Sequence, residues 1–431
     1  MSHSRRMVLS KFALSTLNAL LVACGGGDSK TPVDTPVAIT VAGPNAVSYW
    51  NEVATNTVNQ PAAATGTWEE QRPNTAVDLA TVHVAIYDAV MAIVGTHRPY
   101  AITPASASAD ASQEAAIASA TYRVLLGLFP SRTAQYQAAY DGFIAAMPAS
   151  SAKAQGLAIG AEAAAGILAL RANDGRSVAL ATYVPGTQPG QFRGVNPIGR
   201  PNPFIKPFAV TSHAQFRAPG PPALTSTQYA ADLNETKALA ATGSTTRSAA
   251  QTEDSRFHTE SPATLNTRTM RSFAMTDRSL AEHARLLALV WVTQADAGNT
   301  CFETKYHFQA WRPTSAITLD GDGNAATTID PTWTPHVATP NHPEYPAAHS
   351  CITSSMGEIV RRYYGTPNVS FEANSTVTGT THRYATPAAW LEEVQMARIA
   401  GGMHFRFSTI DGAALGKNVA EWVATRHFLP R

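Results

Sequence analysis

Five basic side chains in the C-terminal part of the chain have the types and order of an anion site. Lys305 and Arg312 bracket "KYHFQAWR", His349 lies in "HPEYPAAHS", and Arg398 and His404 lie in "ARIAGGMHFRF". Guanidinium groups hold tetrahedral or trigonal oxyanions through several charge-assisted bonds, and a lysine adds a compact charge. Amides at a helix start near 348–350, that of Ala348 among them, add uncharged donors. One imidazole can then bond to the central atom, and another can carry a proton near neutral pH. Each residue taken singly is more often structural than functional; the ordered set points to an oxyanion site.

The elements that must position these groups read as helices. Apolar spacing and alanine content predict helices near 47–58, 77–94, 111–128, 131–146 and 151–172, then 226–241, 279–311, 350–364, 387–400 and 411–428. Seven residues make about two helical turns, so Lys305 and Arg312 are expected on one face of a helix that Pro313 stops. Gly401-Gly402 is expected to break the chain after Arg398, since an unbroken helix would turn Arg398 and His404 apart. Between 183 and 222 the prolines and glycines exclude regular structure, and Phe192, Phe204, Phe208 and Phe216 predict an ordered wrapping loop that buries aromatic rings. No strand-like alternation competes with the helices. "DGDGNAATTID" lacks the full spacing of a calcium loop and reads as a surface turn.

Composition narrows the class. Hydrophobic residues make up 44% of the 431 residues, charged residues 15%, and the formal net charge is +1, which argues against a disordered chain and against nucleic acid as a partner. The best apolar run, "LLALVWV", is too short to span a bilayer, so a membrane is expected only through an N-terminal lipid anchor. Residues 1–23 read as a signal peptide, and Leu21-Val22-Ala23-Cys24 resembles a lipobox whose Cys24 is acylated. Residues 24–44 then form a flexible tether, and 45–431 a single domain with its active site in 300–410. The expected place is the bacterial periplasm or a membrane-anchored lipoprotein, reached by the Sec route or, given "SRRMVL", the twin-arginine route. Cys301 and Cys351 are open to a disulfide or to two buried thiols.

The ordered set K-x6-RP, P-x-x-H and R-x5-H resembles the signature of the vanadium-dependent haloperoxidases and of the type 2 phosphatidic acid phosphatase superfamily around them. The match falls on Lys305, Arg312, Pro313, Pro346, His349, Arg398 and His404; Ala347, Ala348 and Ala397 stand where the family has serine, glycine and serine. "WNEVA", "VHVAIYDAV" and "GGMHFRFSTIDGAALGKNVA" extend the likeness over about 45–428. The resemblance implies an all-α fold of two helix bundles in one compact unit. It implies vanadate as cofactor, with phosphate able to occupy the same site, and His404 as its metal ligand. Lys305, Arg312 and Arg398 would neutralise the oxygens, the Ala348 amide would add a donor, Lys305 would polarise hydrogen peroxide and His349 would shuttle protons. Hydrogen peroxide, a halide and a small organic acceptor are the implied partners, and a homo-oligomer fits relatives. His342 favours bromide or iodide. The product would be a hypohalous-acid equivalent.

Two further readings share the cation set: a phosphomonoesterase with His404 as nucleophile, and a non-catalytic oxyanion-binding lipoprotein. Soluble phosphatases of the superfamily carry an aspartate three positions after the last histidine; Phe407 stands there. A zinc site from His307, His342, His349 and the cysteines has no compact ligand spacing.

Overall fold

A computed structural model describes residues 37–38, 45–270, 278–319 and 321–431, and among these residues polar N-caps and alanine-rich, periodically apolar segments form fourteen α-helices. The first group comprises α1 (Ala46–Val58), α2 (Trp68–Gln71), α3 (Thr75–Val94), α4 (Gln113–Leu128), α5 (Thr133–Ala145) and α6 (Ser151–Arg171). The second comprises α7 (Thr227–Ala240), α8 (Ala249–Phe257), α9 (Pro262–Thr269), α10 (Leu280–Phe308), α11 (Pro313–Thr318), α12 (Ala348–Tyr364), α13 (Pro387–Ala400) and α14 (Arg406–Arg426). Helices α3, α4 and α6 pack on one another, α12 packs on α13 and α14, and α10 lies against both α3 and α12. The fold is thus all-α in class, two helix bundles joined along α10. The segments 1–23 and 24–44, and with them Cys24, lie outside the described residues.

Local chemistry accounts for the helices that matter most. Helix α10 starts at a capping box in which Ser279 accepts from the Glu282 amide and Glu282 reaches back to Ser279. Helix α3 starts under Asn74 and ends at Gly95 in the left-handed region. Long and apolar enough to cross a membrane, α3 is instead 89% buried over its most apolar window, as a core helix is, and it carries Asp78, His83 and Asp88 inward. Helices α12 and α14 approach closely because Gly412 and Gly416 face α12; a Cβ at Gly416 would lie 2.0 Å from the Cys351 carbonyl oxygen.

Buried aspartates fasten the irregular segments to the helices. On α10, Asp296 accepts from the amides of Phe208, Ala209 and Val210 at 2.8, 2.7 and 2.9 Å. On α3, Asp88 does the same for Tyr100, Ala101 and Ile102. Arg176 joins Asp174, just past α6, to Asp78 of α3. The loop buries Phe192 and Phe208 and half-buries Phe216, as expected, but Phe204 is 55% exposed, because its short 3₁₀ turn faces outward. Replacing Asp296 by alanine would leave three amides without their acceptor. We expect a loss of about 3 kcal/mol or more in a denaturant titration, with Asp296→Asn losing less.

Three expectations change. Helix α10 ends at Phe308, where Gln309 turns left-handed (φ 50°), so Arg312 is not on the Lys305 helix. Arg312 is extended (φ −83°, ψ 157°) and immediately precedes α11. Pro313 explains this, since its ring disfavours helical geometry in the residue before it. A small sheet also forms, with β1 (Val37–Ala38) parallel to β2 (Val369–Asn374) and β2 antiparallel to β3 (Thr381–Tyr384). The burial alternation of "VSFEAN" is the strand signal that the helical reading passed over. Finally, α8 and α9 occupy polar sequence with little apolar period, and the Ser248/Gln251 capping box is the local sign of α8. The 322–327 stretch is a turn satisfied by its own Asp322, Asn324 and Thr327.

Candidate oxyanion site

Four segments converge at the top of the second bundle: the α10 C-terminus with its exit, the 342–349 approach to α12, the end of α13, and the turn from α13 into α14. Lys305 (0% exposed), Arg312 (2%), Arg398 (1%) and His404 (1%) are all buried. Gly402, at φ +82°, makes the break after α13 that brings His404 back toward Arg398, and the Met403 and His404 amides both donate to the Arg398 carbonyl. Arg312 Nη1 lies 3.2 Å from His404 Nε2 and donates to the Met403 carbonyl at 2.7 Å, while Arg312 Nε donates to the His342 carbonyl at 2.8 Å.

His404 is held from its other side by Glu344, a residue the sequence reading did not select. Glu344 Oε1 accepts from His404 Nδ1 at 2.8 Å and from the Phe405 amide at 3.1 Å. With the proton on Nδ1, Nε2 presents its lone pair toward Arg312, the tautomer that a metal ligand or a nucleophile requires. Burial and the neighbouring cations, Arg312 first, keep the imidazole well below its ordinary pKa and therefore neutral. Burial pushes the Glu344 carboxyl up to about 7, against the pull of Lys305 and Arg312. A carboxylate inside a cation-rich motif, "HPEYPAAHS", was the one sequence sign of this role.

Lys305 is placed differently from the expectation that it faces an anion directly. Its ammonium donates to the carbonyls of Pro343, Glu344 and Pro346 at 2.9, 2.8 and 2.5 Å, which uses all three protons. Burial lowers its pKa to about 8. The residue thereby fastens the 343–346 segment that carries Glu344 and leads into α12, and it adds its charge from behind. Of the cations, Arg398 is the least satisfied. Its Nη1 donates to the His258 carbonyl at 2.6 Å, and its buried Nε has no partner.

His349, half-buried in the first turn of α12, points Nε2 at the Glu260 carbonyl, 3.2 Å away. Burial, with Arg398 next in effect, lowers its pKa well below the ordinary value. Ala347 is the N-cap of α12 but has no side chain to cap it, so the amides of Ala348, His349 and Ser350 donate to no protein acceptor among the described residues. Ser350 Oγ is also buried without a partner. His342 is not a solvent-facing loop residue: it is 7% exposed, lies against Phe302, and has its ring nitrogens 3.0 and 3.3 Å from Arg312 Nη2. Cys301 and Cys351 are free, buried thiols beneath this segment. His307 stands apart from His342 and His349, beside Phe308.

The electrostatics define what this arrangement holds. Among the described residues none of Lys305, Arg312 and Arg398 forms an ion pair with a carboxylate within 4.0 Å, and Glu344 is the single carboxylate that bonds into the cluster. Buried charge without a counter-charge is strongly unfavourable, so the cluster is complementary to an anion. The Arg398 Nε, the Ser350 hydroxyl and the first amides of α12 are donors without acceptors, which suits an oxyanion with several oxygens.

Residues 285–428 match the family described as the VCPO second helical-bundle domain. A 94-residue stretch is 36% identical to the vanadium chloroperoxidase of Curvularia inaequalis, a match spanning 20% of this chain and 15% of that protein. The structure resembles that of a bacterial vanadium-dependent iodoperoxidase with TM-score 0.70 and 20% identity, over 90% of this chain and 96% of the other. It also resembles a holo-type bacterial vanadium-dependent chloroperoxidase with TM-score 0.64 and 14% identity, over 90% and 98%. Residues 285–428 thus match the second helical-bundle domain of that kind, within a fold that resembles the bacterial vanadium-dependent enzymes over nine-tenths of the chain.

Proposed function

We propose that the chain is a vanadate-dependent haloperoxidase that uses hydrogen peroxide to oxidise a halide, bromide or iodide in preference, to a hypohalous-acid equivalent taken up by a small organic acceptor. The observation that carries this reading is the buried surplus of positive charge and unpartnered donors around a correctly tautomerised His404. The donor set fits vanadate: His404 Nε2 would hold the metal, and Arg312, Arg398, the Ala348 amide and the neighbouring amides would hold its oxygens. When bound, vanadate supplies Lewis-acid activation of peroxide at a constant oxidation state.

The chain's own residues do the rest. Glu344 fixes the Nδ1 proton and so the Nε2 lone pair of His404. Lys305 holds the 343–346 carbonyls in place and adds positive potential. His349, with Nε2 directed at the Glu260 carbonyl, keeps Nδ1 free to take and return a proton. His342, against Arg312 and Phe302, is proposed to shape the halide approach. The N-terminal sequence supports export and a lipid anchor at Cys24 as part of the same proposal.

One observation favours a second reading, hydrolysis of phosphomonoesters. Phe407 removes the usual carboxylate partner of the nucleophilic histidine, yet Glu344 supplies one from another segment at 2.8 Å. Parallel titration of the full chain with vanadate and with phosphate, read by halogenation and by monoester hydrolysis, tests both. Halogenation that rises with vanadate and is inhibited by phosphate is expected. Turnover of monoesters without halogenation would replace the first reading by the second; binding of both anions without either activity would leave only an oxyanion-binding protein.

Ala347→Ser is a prediction of gain. A hydroxyl at this N-cap would cap α12 and add a donor beside the anion, so vanadate affinity is expected to rise roughly twofold to tenfold. Calorimetric titration of vanadate into both proteins measures this; unchanged affinity would place residue 347 away from the anion.

A further inference from the structure

Beside Arg398, three elements bring their own ligand-type side chains together. His258 is the C-cap of α8, His382 lies in β3 and Glu393 in α13, the helix that carries Arg398. His258 Nε2 and His382 Nδ1 approach the same oxygen, Glu393 Oε1, at 2.9 and 2.8 Å, and the Tyr384 hydroxyl donates to it at 2.6 Å. The three ligand-type atoms lie within 4.8 Å of one another. On its far side the His382 ring directs Nε2 to Glu253 Oε2 at 2.7 Å, and Phe257 stacks on its face with centroids 3.8 Å apart. His258 is 1% exposed, whereas His382 and Glu393 are half-buried and reachable from solvent.

We propose that His258 Nε2, His382 Nδ1 and the Glu393 carboxylate form a site for a divalent cation of the zinc class. Three features point to a cation rather than to a network of hydrogen bonds alone. Two imidazole nitrogens and a hydroxyl crowd one carboxylate oxygen, which is more donors than its lone pairs accommodate well. A ligating histidine characteristically donates its other ring N–H to a carboxylate, and Glu253 occupies that position for His382. Glu253, Asp254 and Glu393 cluster here, and among the described residues no lysine or arginine forms an ion pair with any of them. Nitrogen donors with one carboxylate suit Zn²⁺, Co²⁺ or Ni²⁺ over Mg²⁺ or Ca²⁺, which take oxygen shells.

The geometry requires little change. Ligand atoms about 2.0–2.1 Å from a tetrahedral zinc stand roughly 3.4 Å apart, so each nitrogen must retreat from Glu393 Oε1 by about half an ångström. Such an ion would tie α8, β3 and α13 together one peptide away from the oxyanion site, since the His258 carbonyl also accepts from Arg398 Nη1. The site is independent of what the oxyanion cluster binds.

The full-length chain, stripped with chelator and then titrated with Zn²⁺ or Co²⁺ alone, tests this. We expect one equivalent bound, a Co²⁺ absorption spectrum of low coordination number, and a melting temperature raised by the metal. His382→Gln and Glu393→Gln should each weaken Zn²⁺ at least about tenfold, and Glu253→Gln, on the more exposed rim, should weaken it less. His336→Gln, a histidine outside the cluster, should leave the affinity unchanged. Should Glu393→Gln fail to fold, anomalous scattering from a Zn²⁺-soaked wild-type crystal decides instead. Substoichiometric binding, equal affinity in His382→Gln, or anomalous peaks only at other positions would overturn the site, whatever the outcome of the vanadate assays.

Discussion

His404→Ala is expected to end halogenation at any vanadate concentration, with a fall of at least about 100-fold, the scale for removing one preorganised group from a catalytic site. The structural ground is that His404 Nε2 presents a buried imidazole lone pair against Arg312 while its Nδ1 proton is fixed by Glu344. Arginine and amide donors would still attract the anion, so vanadate binding should weaken without vanishing. Initial rates of iodide- and bromide-dependent halogenation, measured beside calorimetric vanadate titration and a circular dichroism check of folding, separate the two effects. Activity within tenfold of wild type in a folded His404→Ala protein would remove His404 as the metal ligand and with it the proposed chemistry.

Glu344→Leu should have the next largest effect, although Glu344 touches neither the anion nor a substrate. Partners that orient a ligating histidine typically change metal affinity or activity by about 10- to 100-fold when removed. Leucine takes away the acceptor that fixes Nδ1–H, so the imidazole is free to turn or to adopt the other tautomer. It also removes the one carboxylate that offsets Lys305 and Arg312, so the anion-free protein should melt earlier and vanadate should recover part of that loss. Glu344→Gln keeps an oxygen able to accept from Nδ1 and should restore vanadate affinity to within about tenfold of wild type. A merely structural role predicts instead that both variants lose stability together while the folded fraction binds vanadate normally.

The same pairing bears on which chemistry the chain performs. A histidine backed by a carboxylate is a ligand for vanadium or a nucleophile toward phosphorus with equal local geometry. Phe407 therefore discriminates less than its position suggested, because the carboxylate arrives from sixty residues upstream. What favours the peroxidase reading is the stretch similar to a vanadium chloroperoxidase and the number of donors left for the oxygens of a bound metalate.

Much of the fold was open to a reader of the sequence. Alanine-rich segments with apolar periods and polar caps, such as Ser279 with Glu282 before α10, set most helix limits by local interactions alone. The break at Gly402 was legible because only glycine readily adopts the required backbone, and the identity of the cations was legible because few residue types hold an oxyanion. The extended state of Arg312 was also written in the sequence, in Pro313, but helical spacing was given precedence over the restriction that a proline places on its predecessor.

Tertiary structure alone decided the partners. Lys305 ends among three backbone carbonyls, Arg398 on the carbonyl of His258 and His349 on that of Glu260. Every residue possesses a carbonyl, so such contacts leave no mark in residue type or spacing. The pairs Glu344 with His404, and His258 and His382 with Glu393, join segments whose separation along the chain carries no period. Residue chemistry thus determined that an anion would be held; the packing of α10, α12 and α13 determined which protons face it, because burial makes each unpaired charge costly enough to dictate its neighbours.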